Sequence, residues 1–169
     1  MAALERRSVV LVTGMSGTGK STVLAELGRR GHRVVDTDAP GWIVHAETRD
    51  GPEPVWDLDR VGSLLDEHRA GWLFVSGCVA NQGVLYDRFD AVVLLSAPLD
   101  VILARVADRA NPFGSRPEDG PKIAGDQAVF EPRLRAGADY EVTTTAPLDE
   151  VATALEQAAA SAGERPRRR

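Results

Sequence analysis

Residues Gly14-Met15-Ser16-Gly17-Thr18-Gly19-Lys20-Ser21 fit G-x-x-x-x-G-K-[ST], a pattern whose spacing has a mechanical reason. Glycines let the backbone curl so that successive N–H groups point into one nest the size of an oxyanion. A helix starting near Lys20 would add the positive end of its dipole. The Lys20 ammonium can reach the outer phosphates of a bound triphosphate, and the Ser21 hydroxyl can ligate Mg²⁺. The nucleotide-contacting stretch is therefore expected to comprise Gly14, Met15, Ser16, Gly17, Thr18, Gly19, Lys20, Ser21 and Thr22.

A second group of candidates lies at Asp36-Thr37-Asp38. Carboxylates two apart at a strand end can face different ways, one to a magnesium-bound water and one to an attacking hydroxyl. On that reading Asp36 joins Ser21 at the metal and Asp38 takes the acceptor proton; a turn closed by Asx hydrogen bonds is the plainer reading. Arg105 and Arg109 recur at i, i+4, and Arg116 follows in an irregular segment rich in Pro and Gly. Arginines placed there could close over a transferring phosphoryl group, whose chemistry is mostly positioning and charge neutralisation.

These residues need elements to hold them. Ser8 to Thr13 reads as a buried strand entering the glycine-rich turn, and helical spacing follows with Val23, Leu24 and Leu27 on one face. Arg33 to Val35, Trp72 to Ser76, Ala91 to Leu95 and Tyr140 to Thr144 read as further strands. Helices are expected over 39–47, from an Asp57 cap to about Arg69, over 99–109, 121–136 and 147–161. Loops are expected over 48–56 and from Gly77 to Gly83. Strands alternating with helices imply a parallel sheet covered on both faces.

The 169 residues fit one domain, taken as 1–161 with a basic tail at 162–169. A hydrophobic share of 43% argues against disorder. The net charge of −5 argues against nucleic-acid binding by bulk attraction. Cys78 has no partner for an internal disulfide, and neither a membrane span nor a signal-peptide core is visible, so a cytoplasmic setting is expected. No His or Cys cluster is spaced for a metal of its own, which leaves nucleotide-borne Mg²⁺. The guanine-selecting N-K-x-D is missing, and Asp59-Arg60-Val61-Gly62 lies early in a helix rather than at a strand end, against a GTPase.

The chain resembles the P-loop small-molecule kinases: nucleoside monophosphate kinases, adenylate-kinase-like ATPases and shikimate kinases. Asp36-Thr37-Asp38 is similar to the D-[ST]-D of shikimate kinases, and Gly77-Cys78 with Asp59-Arg60-Val61 looks like the adenylate-kinase-like group. Arg105 and Arg109 match the paired arginines before a kinase lid, and Ala138-Asp139 with Val142 and Thr144 resembles the strand beside an adenine site. Many such proteins carry an aspartate at the end of the third strand; here Ser76 stands in that region, leaving the metal to Ser21, water and Asp36.

The resemblance implies a three-layer P-loop NTPase fold of the α/β class. Its five-stranded parallel sheet would run in the order 2-3-1-4-5, with helices on both faces, a short lid at about 110–120 and an acceptor region at about 36–60. It implies ATP and Mg²⁺ as cofactors and a small-molecule acceptor, with Lys20, Asp38, Arg105, Arg109 and Arg116 as catalytic candidates. The alternative is an ATP-hydrolysing assembly or regulatory module without a small acceptor.

Trp42 and Trp56 flank the loop where an acceptor would bind and can either stack on a base or pack in the core. Asn81 and Gln82 can either read a bound group or hold a turn, and Lys122 reads as solvated.

Overall fold

A computed structural model describes residues 6–108 and 119–162. Strand β1 (Ser8–Thr13) leads into helix α1 (Lys20–Arg29) and strand β2 (Arg33–Asp36). Strands β3 (Ile43–Thr48) and β4 (Gly51–Trp56) come next, followed by helix α2 (Leu58–Glu67) and strand β5 (Trp72–Ser76). A 3₁₀ helix (Gln82–Arg88), strand β6 (Ala91–Ser96) and helix α3 (Leu99–Ala107) precede helix α4 (Asp119–Gly137), strand β7 (Tyr140–Thr143) and helix α5 (Leu148–Ala162).

The main sheet runs β2-β5-β1-β6-β7, all parallel. With the β3–β4 hairpin set aside, this is the expected order 2-3-1-4-5. The central strands are apolar throughout because both of their faces are covered. Val10, Val12, Phe74, Val93 and Leu95 pack under α1 and α5. The alternate residues Val9, Leu11, Leu73, Val75 and Val92 pack under α2 and the 3₁₀ helix. Alanines 152, 158, 159 and 162 let α5 lie close on the sheet. Asp57 caps α2 by accepting the Arg60 N–H.

Residues 39–47 do not form the expected helix, and 48–56 are not a loop. They build an antiparallel hairpin with Ile43 opposite Trp56 and Thr48 opposite Gly51. Arg49-Asp50 carries the turn and Gly51 follows it at φ +106°, and Asp-Gly between two short runs is a hairpin signal. Pro52 and Pro54 hid it, since proline is rare inside strands. The end of the loop after β5 is the 3₁₀ helix, which spacing did not reveal.

The register levels the carboxyl ends of three strands. Val12 and Asp36 both lie beside Ser76, and the ladder continues through Thr37 N–H to Ser76 O and Gly77 N–H to Val12 O. Asp36 is thereby delivered beside the turn that follows β1. Arg109, Arg116 and most of the expected lid lie outside the described residues. No described helix is long and apolar enough to cross a membrane.

Candidate functional site

Gly14 to Gly19 form the turn from β1 into α1, and Lys20, Ser21 and Thr22 open the helix, as the spacing predicts. Helix α1 begins after Gly19, which sits at φ 96° and gives no side-chain cap. The N–H groups of the first helical turn have no intrahelical acceptor, so this end is open to an anion. Gly17 has φ +85°, and a Cβ there would lie 2.8 Å from Val106 Cγ2. The loop is thus pressed onto α3 so tightly that a side chain has no room. The Thr18 hydroxyl donates to Met15 O at 2.8 Å, bracing the curl from inside.

Lys20 Nζ donates to Gly14 O at 2.5 Å and to Met15 O at 3.1 Å, holding the ammonium across the mouth of the loop. Ser21 Oγ donates to Asp36 Oδ2 at 3.2 Å. The other oxygen, Asp36 Oδ1, accepts the Asp38 N–H at 2.9 Å. Asp36 therefore closes an Asx turn with one oxygen and faces the Ser21 hydroxyl with the other.

Of the clefts beside the loop, two bring candidate residues together. One, of about 330 Å³, is lined by Met15, Ser16, Lys20, Ser21, Asp38 and Cys78. It brings together the loop, the second aspartate and the residue after β5. The other, of about 400 Å³, lies behind the loop between Gly17, Gly19, Thr22 and the start of α5, with Leu148 and Val151 on its wall. Arg105 belongs to this second cleft. Its Nη1 donates to Thr144 Oγ1 at 2.8 Å and Gly17 O at 3.3 Å, and its Nη2 donates to Thr144 O at 2.7 Å. These contacts tie the loop to the end of β7.

Trp56 is core, only 1% exposed, and its indole N–H donates to Thr37 Oγ1 at 2.9 Å. That hydroxyl in turn donates to Ser76 O at 2.7 Å. Trp42 lies beneath the Arg60 guanidinium, 4.8 Å from the ring centre. Asn81 and Gln82 are spent internally. Asn81 brackets the Trp56 backbone, accepting its N–H at 2.9 Å and donating to its C=O at 3.0 Å. Gln82 is buried and donates to Thr13 Oγ1 and the Tyr86 hydroxyl. Lys122 pairs with Asp126 at the surface.

Sequence reasoning missed Thr37 as the bracket between Trp56 and β5, and Leu148 and Val151 as cleft walls. No spacing signal could have found them, because their partners are distant in the chain.

A family model described as an AAA domain matches residues 10–119. A nucleotide-binding protein of Nocardioides sp. is 32% identical over 148 residues, covering 81% of this chain and 45% of its own length. A nucleotide-binding protein of Limosilactobacillus fermentum is 26% identical over 144 residues, covering 83% and 49%. The chain spans about half the length of these curated relatives. Among solved structures, shikimate kinase from Acinetobacter baumannii in complex with shikimate superposes with a TM-score of 0.65 at 21% identity, covering 94% of this chain and 96% of its own. Shikimate kinase from Aquifex aeolicus gives 0.54 at 18% identity, covering 89% and 95%. The fold is that of P-loop small-molecule kinases, and the chain belongs to the AAA domain family.

Proposed function

We propose that the protein transfers the γ-phosphoryl group of ATP to a small acceptor, either a nucleotide or a hydroxylated metabolite. The observation that carries this reading is the cleft in which the phosphate-binding loop, Lys20 and Asp38 meet. Loop amides and Lys20 neutralise the outer phosphates. Asp38 accepts the proton of a hydroxyl acceptor as its oxygen bonds to the γ-phosphorus, while the bond to the β-phosphate oxygen breaks and ADP leaves. If the acceptor is itself a phosphate, Asp38 orients it without acting as a base.

Ser21 Oγ and Asp36 Oδ2, converging at 3.2 Å, are the hard oxygen donors Mg²⁺ favours alongside phosphates. Bound there with the nucleotide, the ion would neutralise phosphate charge. Arg105 serves the rear cleft, where the nucleoside would lie against Thr22, Leu148 and Val151. Arg109 and Arg116 remain candidates for closing over the transferred group.

A second reading, an ATP-hydrolysing assembly or regulatory module, draws support from the relatives. They carry only a nucleotide-binding name and are about twice as long. Release of ADP is to be followed with nucleoside monophosphates, shikimate-like polyols and aminoglycoside-like compounds as acceptors. Stimulation by one class, lost in Lys20→Ala, supports transfer; steady hydrolysis that no class stimulates supports the module.

A further inference from the structure

The two outer edges of the β3–β4 hairpin are chemically unequal. In an antiparallel ladder, opposed residues alternate between exchanging both backbone hydrogen bonds and exchanging none. Pro52 faces Glu47 and Pro54 faces His45. A proline has no N–H to give, so these are the non-bonded pairs and their backbone groups point outward. The Asp57 N–H donation to Trp42 O at 2.8 Å continues the same alternation.

On β4 the outward positions are therefore Pro52, Pro54 and Trp56. Two lack a donor, and the Trp56 N–H and C=O are both taken by the Asn81 side chain. That edge is closed. On β3 the outward positions are Ile43, His45 and Glu47. Among the described residues this strand pairs with β4 alone, and residues 44–48 are all exposed. An open strand edge is a template for another strand.

We propose that the β3 edge pairs antiparallel with the same edge of a second copy of this chain, joining two hairpins into one four-stranded sheet. Self-pairing about a two-fold axis must match outward residues with outward residues. The register centred on Ala46 sets His45 opposite Glu47 of the partner copy, twice, with the two alanines meeting at the close non-bonded spacing. The register centred on His45 sets His45 against itself. The one centred on Glu47 opposes two like charges. Of these three, only the Ala46 register gives the His45 imidazole and the Glu47 carboxylate a hydrogen bond to share, and the closed β4 edge stops assembly at a dimer instead of a filament. None of this depends on the chemistry at the phosphate-binding loop.

Sedimentation over a concentration series up to about 100 µM tests the pairing. The unmodified chain is expected to move from monomer to dimer. His45→Pro deletes an outward donor without touching the hairpin's own ladder, and it should leave a monomer that still binds ATP. His45→Glu should weaken the dimer at least about 10-fold by opposing like charges, and adding Glu47→His should restore it. A chain monomeric throughout the series overturns the proposal. So does a dimer indifferent to His45→Pro, or one that the charge exchange leaves unchanged.

Discussion

The Ser21 hydroxyl donates to Asp36 Oδ2 over 3.2 Å, joining the first turn of α1 to the last residue of β2. The strand that feeds α1, β1, is not a neighbour of β2 in the main sheet, where β5 stands between them. The parallel register, with Val12 and Asp36 both beside Ser76, closes the gap.

Asp36→Asn separates charge from structure at this contact. Asn keeps an oxygen for the Asp38 N–H and loses the anion. The Mg²⁺ concentration for half-maximal activity should rise at least about 10-fold with unfolding unchanged. Magnesium titration of ATP turnover, beside a melting curve, checks it.

Arg105→Ala removes the donations to Thr144 and to Gly17. ATP should bind about 10-fold more weakly, and the fold should lose about 1–3 kcal/mol as these acceptors go unpaired. Calorimetry with MgATP and urea unfolding measure the two. A loss of turnover with unchanged nucleotide affinity would instead place Arg105 at the transferring phosphoryl group.

Gly17→Ala forces a methyl to within 2.8 Å of Val106 Cγ2 and 3.0 Å of Ile102 Cγ2 at a φ of +85°. Strain and overpacking together should cost about 1–3 kcal/mol and distort the anion nest. A lowered urea midpoint together with lost nucleotide binding is the expected result.

The Glu141 carboxyl is held below the ordinary carboxylate range, chiefly by the hydrogen bond from Arg135; the Arg135 guanidinium is correspondingly raised. In the unfolded chain the carboxyl returns to about 4.3. Its contribution to stability is therefore complete above that pH and is lost as pH falls through the lower folded value. Urea midpoints of the wild type and Glu141→Gln should differ at pH 7 and converge in acid. A gap that does not narrow as pH falls would overturn this.

The glycine-rich turn after β1, the strands beside it and the sheet class were legible in the sequence because each rests on local spacing. Glycines at fixed offsets permit one curl, and unbroken apolar runs such as Ser8–Thr13 can only be strands buried on both faces. Asp36 was legible as a partner for Ser21 because a second strand must end near the first.

What spacing could not decide was pairing across distance. Residues 39–47 have enough apolar and helix-tolerant positions to look helical alone; they form a strand only because a segment following Asp50-Gly51 pairs with them. The prolines that argued against that segment are harmless, since the missing N–H groups point away from the ladder. Arg105, likewise, could be assigned to a helix from its neighbours, but only the packing of β7 against β6 brings Thr144 close enough to turn it toward the rear cleft. Local sequence determined which backbone shapes were available; tertiary contact chose among them, because a donor's direction has meaning only once its acceptor has been brought within about 3 Å.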